Sequence, residues 1–170
     1  LEAAGWSELL DEAAHGEIAF PGGSLRLVLT PAMALFDVDG TLDPAALAVA
    51  GAAAAGRAIR RLGLGGSIGI DLPTTPDRAG RQAAAAALDA ALPPPFERTA
   101  VNGFGFLQLV RRRTRAALPE LIATDPAAAE ARALLRRIER SRPPHPPDWP
   151  ASAAVLAAIA RRPDWLHEAG

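Results

Sequence analysis

One pattern, occurring twice, constrains the 170-residue chain most: a short apolar run that ends in an aspartate, followed by a loop and then a helix-like segment. The first run is Met33 to Asp37 and the second is Ser67 to Asp71. From Pro44 onward the apolar positions recur every three or four residues: Leu47, Gly51, Ala55, Ile59 and Leu62 share one face, with Arg57, Arg60 and Arg61 opposite. Asp43 can accept from an orphan N–H of the first turn, Pro44 suits a position whose N–H has no partner, and Gly63 with Gly65-Gly66 ends the helix. Thr75-Pro76 repeats the cap-and-proline signature before an alanine-rich helix that stops at Pro93-Pro94-Pro95. Strand, helix, strand, helix is the signature of an α/β fold.

Further strands are expected at Glu17 to Phe20 and Ser24 to Thr30, joined by a turn at Gly22-Gly23, and at Arg98 to Val101 and Gly105 to Val110. Asp125-Pro126 opens another capped helix, carrying Arg132, Arg136, Arg137 and Arg140. Pro143 to Pro150 reads as a linker and Ala151 to His167 as a small helical piece, with Trp149 and Trp165 anchoring it against the core. The expected architecture is α/β with a mixed, mostly parallel central sheet, flanking helices and a small helical C-terminal appendage. Residues 1–15 form a lead-in, 16–120 the α/β core, 121–142 an arginine-rich helix, 143–150 the linker and 151–170 the start of a small subdomain.

The chain has no cysteine, which excludes disulfides, thiolate zinc sites, iron–sulfur clusters and a cysteine nucleophile in this stretch; cytoplasm is the default location. His15, His145 and His167 are scattered, so a histidine metal site or general base is not expected. Every basic residue is arginine. Residues 1–96 hold 6 Arg against 11 acids and residues 97–170 hold 12 against 8, so the C-terminal part is the expected partner of an anion. The longest apolar run, Pro44 to Gly56, is almost wholly alanine and glycine and too short to span a bilayer. With Leu1 first and a pattern that stops at Gly170, the chain reads as a fragment.

A single crossover helix favours parallel neighbours, and parallel neighbours put Asp37 and Asp71 at one sheet edge, where open α/β sheets bind ligands. Two adjacent carboxylates repel unless a cation lies between them, and a hard oxygen pair suits magnesium that keeps several waters. Asp39, on the same side of an extended segment, is either a third ligand or the group that orients Asp37. The bland alternative is that Asp37 and Asp39 shape a turn with Gly40 and Asp71 an Asx turn before Pro73.

Two families resemble these residues. Phe36-Asp37-Val38-Asp39-Gly40-Thr41-Leu42 resembles the first motif of haloacid-dehalogenase-like phosphatases, which implies Asp37 as nucleophile and Asp39 as general acid. That family also needs a downstream basic residue after a strand ending in Ser or Thr and an acidic pair. This chain has no lysine, lacks the acidic pair, and carries two strand candidates before the motif.

The longer resemblance, over roughly residues 20 to 120, is to the catalytic core of the ribonuclease E/G family. It is carried by Thr30-Pro31 and Ala34-Leu35 before Asp37, Leu64-Gly65-Gly66 before Asp71, and Phe104-Gly105 leading to Arg111, Arg112, Arg113, Thr114 and Arg115. The resemblance implies a magnesium ion held by Asp37 and Asp71 and a metal-activated water that cleaves single-stranded RNA to 5′-phosphate and 3′-hydroxyl ends. It implies RNA contacts from Arg111, Arg112, Arg113, Arg115 and Phe104, with Arg78 and Arg81 as further candidates; Phe106 is expected in the core. Asp39 stands where that family usually has Asn. The family's Cys-x-x-Cys zinc link between subunits does not follow Arg115, so any oligomer would form without it. An inactive RNA-binding or scaffold domain is a second alternative.

Overall fold

The computed structural model describes residues 5–141 and 148–165, so His145, His167 and most of the expected linker lie outside the described residues. The chain divides into two compact units, residues 1–120 and 121–170.

In the first unit, β1 (Glu17–Phe20), β2 (Gly23–Leu29) and β3 (Ala34–Gly40) form an antiparallel meander. Helix α2 (Pro44–Leu62) then crosses to β4 (Gly66–Asp71), which pairs parallel with β3. Asp43 Oδ1 accepts from the Ala46 N–H at 3.1 Å, and Gly63 closes the helix in the left-handed region at φ 68°. Helix α3 spans Arg78–Ala91, two residues later than the Thr75-Pro76 signature indicates, because Asp77 takes the cap: its Oδ1 accepts from the Gly80 N–H at 2.6 Å. Two further strands, β5 (Glu97–Arg98) and β6 (Phe106–Arg111), complete the sheet in the order β1-β2-β3-β4-β6-β5.

The sheet is mixed but mostly antiparallel, which corrects the expectation of mostly parallel strands: β3 with β4 is its one parallel pair. The physical reason lies after α3. The strand that follows this helix, β5, runs in the direction of β4 but is not its neighbour. It folds back as a hairpin, and the descending β6 inserts between β4 and β5.

One face of this sheet is apolar. Ile18, Leu25, Leu27, Phe36, Val38, Ile68, Ile70, Leu107 and Leu109 are buried, in line with the registers Leu27↔Phe36, Phe36↔Ile70 and Ile70↔Leu107. The alanine and glycine content of α2 permits close approach to that face. A Cβ on Gly51 would lie 2.5 Å from a Val38 methyl, and one on Gly56 would lie 2.9 Å from Ala91 Cβ of α3. Such separations leave no room for a larger residue. The other face, carrying Glu17, Ser24, Arg26, Val28, Asp37, Asp39, Asp71 and Val110, is exposed.

Helix α1 (Trp6–His15) occupies the expected lead-in. Glu12, almost wholly buried, accepts from Arg61 of α2 at 2.6 Å and ties the two helices together. Helix α4 (Leu118–Thr124) was likewise not anticipated. The second unit is built from α5 (Pro126–Arg140), capped by Asp125 through the Ala128 N–H, and α6 (Ala153–Ala160). Ala131, Leu134, Leu135, Val155, Ala158 and Trp165 form its core, with Trp149 packed at the margin. Trp165 thus belongs to this unit's own core, and the guanidinium groups of Arg132 and Arg162 stand 4.5 and 4.8 Å from its ring centroid. Among the described residues no helix is long and apolar enough to cross a membrane.

Candidate metal and nucleic-acid site

The open face of the sheet carries one continuous row across five strands: Glu17, Arg26, Asp37, Asp71 and Phe106, each in register with the next. Asp37 and Asp71 are therefore immediate neighbours on parallel strands, about 5 Å apart at the backbone. Both are exposed, and neither carboxylate has a hydrogen-bond or ion-pair partner among the described residues. Arg26, on the other side of Asp37, bonds to Glu17 at 3.2 Å. The pair thus presents two carboxylates side by side, without a counter-charge in direct contact among the described residues.

Asp39 lies on the same face two residues along β3, opposite Ser24. Its Oδ1 accepts from the Gly40 N–H at 2.8 Å, a turn-shaping bond that occupies one oxygen. Among the described residues no three His, Cys, Asp or Glu side chains are grouped to hold a metal ion, so a cation at the Asp37 and Asp71 carboxylates would fill its remaining positions with water.

Below the pair, Gly69 leaves space that Phe106 and Leu35 fill. A Cβ at Gly69 would lie 2.8 Å from the Phe106 ring and 3.0 Å from Leu35. Phe106 is half-buried on the open face, not in the core between sheet and helices. Phe104 sits at the tip of the loop that enters β6, on the Asp71 side of the sheet, and is 84% exposed.

The two α3 arginines differ. Arg81 turns back, donating to the Thr75 carbonyl at 3.2 Å, whereas Arg78 is exposed at the first helical position with no hydrogen bond or ion pair among the described residues. Thr75 itself is buried, and its hydroxyl has no hydrogen-bond partner among the described residues.

The arginine run is not brought to the aspartates. Because β6 is antiparallel to β4, Phe106 pairs with Asp71 while Arg111 pairs with Gly66 at the opposite sheet edge, five residues or about 17 Å away. There Arg111 donates to the Leu64 carbonyl at 3.4 Å and Arg113 bonds Glu120 at 2.7 Å. Arg115 reaches the C-terminal end of α2 beside Gly63, where a positive charge complements the helix dipole. Arg112 is exposed and has no such partner among the described residues.

The sequence reading missed two residues that shape this region. Arg26 was legible as a β2 residue whose alternation matches Asp37. Asn102, whose Oδ1 accepts from the N–H groups of Phe104 and Phe106 at 2.9 and 3.0 Å, was signalled by the Asn-Gly turn dipeptide between two strand runs. No family model matches the chain, and no curated protein matches it.

Proposed function

We propose that the chain is the catalytic part of a magnesium-dependent endoribonuclease that cleaves single-stranded RNA, as its resemblance to the ribonuclease E/G family implies. The observation that carries the reading is the in-register pair Asp37 and Asp71 on neighbouring parallel strands, exposed and without a partner among the described residues. The donor set fits magnesium: two hard carboxylate oxygens, one from each strand, with room for water on the open side. The chemistry supplied by a bound magnesium ion is activation of a water molecule and neutralisation of charge on the attacked phosphate. Asp37 and Asp71 hold that ion by their charge and act as neither nucleophile nor base. Asp39, already bonded to the Gly40 N–H, stiffens the end of β3 and so orients Asp37.

The sheet supports this reading over the phosphatase one. A phosphatase of the haloacid-dehalogenase type carries its nucleophilic aspartate on the first strand of its fold, whereas Asp37 follows an antiparallel hairpin on the third. The arginines at the far edge are assigned to RNA phosphates away from the cut. Cytoplasmic RNA processing or decay is the setting this reading implies. The test is incubation with 5′-monophosphorylated single-stranded RNA and with p-nitrophenyl phosphate, each with magnesium or EDTA. Magnesium-dependent RNA cleavage supports the nuclease, and phosphate release supports the phosphatase.

A further inference from the structure

We infer that Phe104 is a fixed stacking platform for one unpaired nucleobase beside the aspartate pair. The inference rests on the nucleic-acid reading of that pair and goes beyond it in naming what holds the substrate there.

Phe104 is the most exposed of the large apolar side chains among the described residues. Exposed rings are common on frayed loops, but this loop is pinned on every side. Asn102 Oδ1 takes the N–H groups of Phe104 and Phe106, and the Asn102 N–H donates to the Phe106 carbonyl at 2.9 Å. The Gly105 N–H donates to the Asn102 carbonyl at 3.2 Å. Two more bonds tie the loop to the segment after Asp71: Leu72 N–H to the Gly105 carbonyl at 3.2 Å, and Thr74 Oγ1 to the Phe104 carbonyl at 3.0 Å. Gly105 has φ 93°, and a Cβ there would collide with the Leu72 carbonyl, so the turn accepts no other residue without shifting.

The backbone beneath Phe104 is thereby held two residues before Phe106, the register partner of Asp71. A ring presented on a rigid turn loses little conformational freedom when a ligand lies on it, and that preorganisation favours binding. Among the described residues the large exposed apolar side chains at the edge that carries Asp37 and Asp71 are few, Phe104 at 84% and Leu42 at 41%, which suits neither a broad apolar protein interface nor, beside two carboxylates, an anionic lipid surface. A nucleobase offers a flat face of matching size, tolerates any sequence, and brings a phosphodiester linkage toward the carboxylates.

The test compares binding, in EDTA, of a short single-stranded RNA and of the same sugar–phosphate backbone lacking its bases, by the native chain, Phe104→Ala and Phe104→Trp. Thermal melting serves as the folding control, and with its side chain in solvent Phe104→Ala should melt as the native chain does. The expected result is that the native chain and Phe104→Trp prefer the base-bearing strand about tenfold and that Phe104→Ala loses the preference, with no change in salt dependence because no charge is altered. Equal preference in Phe104→Ala overturns the inference, and if magnesium-dependent cleavage persists the nuclease reading stands without it. A base preference lost in Phe104→Ala, with no cleavage by any variant, supports the platform and overturns the nuclease. No RNA binding by the native chain overturns both. A native dimer that Phe104→Ala abolishes, without any base preference, makes Phe104 a protein contact and overturns the platform alone.

Discussion

Arg26 stands directly opposite Asp37 in the β2–β3 ladder, yet its guanidinium bonds Glu17 on the next strand at 3.2 Å. This cation, next to the aspartate pair in the ladder, is therefore bonded to a third carboxylate, in an exposed bond of small energy. That arrangement leaves the pair open while keeping a positive charge one strand away. Replacing Arg26 with Gln should tighten magnesium binding, read by titration calorimetry, because a nearby positive charge opposes an incoming cation. Unchanged affinity would mean that Arg26 exerts no field on the pair.

Asp39 tests which carboxylates matter. Its structural task is to accept the Gly40 N–H, and the Asn amide oxygen accepts the same bond. Asp39→Asn should therefore keep the melting temperature and most of the magnesium-dependent cleavage rate. A loss of the order seen on removing Asp37 would make Asp39 a ligand.

The arginines at the far edge should affect binding without affecting the chemical step. Arg112, with no partner among the described residues, is the residue most open to a phosphate, whereas Arg111 and Arg113 already have bonds within the fold. Arg112→Ala should reduce the log–log salt slope for single-stranded RNA by about 0.7, and replacing Arg111, Arg113 and Arg115 as well should reduce it further. The rate at saturating RNA should stay close to native, since the run lies about 17 Å from Asp71. An unchanged slope in the quadruple variant would leave these residues as a solvated and structural edge.

A pH dependence follows from the bidentate pair Arg98 and Asp89, at 2.7 and 2.5 Å, which links β5 to α3. The hydrogen bonds from Arg98 hold the Asp89 carboxyl below its ordinary range and raise Arg98 in turn. A depressed carboxylate stabilises the fold above its unfolded value of about 3.9, and that contribution disappears as pH falls through the lower folded value. Asp89→Asn should cost less than about 1 kcal/mol at neutral pH, given that the pair is partly solvated, and the difference from native should shrink toward about pH 2 in urea titrations. A difference independent of pH would show that the variant acts through packing.

Local signals in the sequence carried far. Asp43 and Asp125 cap their helices through the N–H three residues on, and Gly63 ends α2, because capping depends on a few adjacent residues. Asp77 displaced Thr75 as the cap of α3 because the Thr75 side chain is buried, a tertiary fact that the two adjacent capping residues do not reveal. Helix α1 has Gly5 at its N-cap in the left-handed region with no side-chain bond, so it offered no start signal. The crossover α2 correctly implied that Asp37 and Asp71 are neighbours. The distance of the arginine run from the aspartates was not legible, because the residue order shows that the run follows a strand but not which way that strand runs, and β6 descends from the aspartate edge.

The central claim is that Asp37 and Asp71 together hold a catalytic magnesium ion, and the most direct measurement is cleavage of 5′-monophosphorylated single-stranded RNA by the native chain, Asp37→Asn and Asp71→Asn, each with magnesium and with EDTA. Both carboxylates are exposed and have no partner among the described residues, so both variants should melt as the native chain does. The account predicts magnesium-dependent products with 5′-phosphate ends from the native chain and none above background from either variant, because a neutral amide lacks the charge that holds the cation. Near-native cleavage by either folded variant, or native cleavage that persists in EDTA, would contradict it.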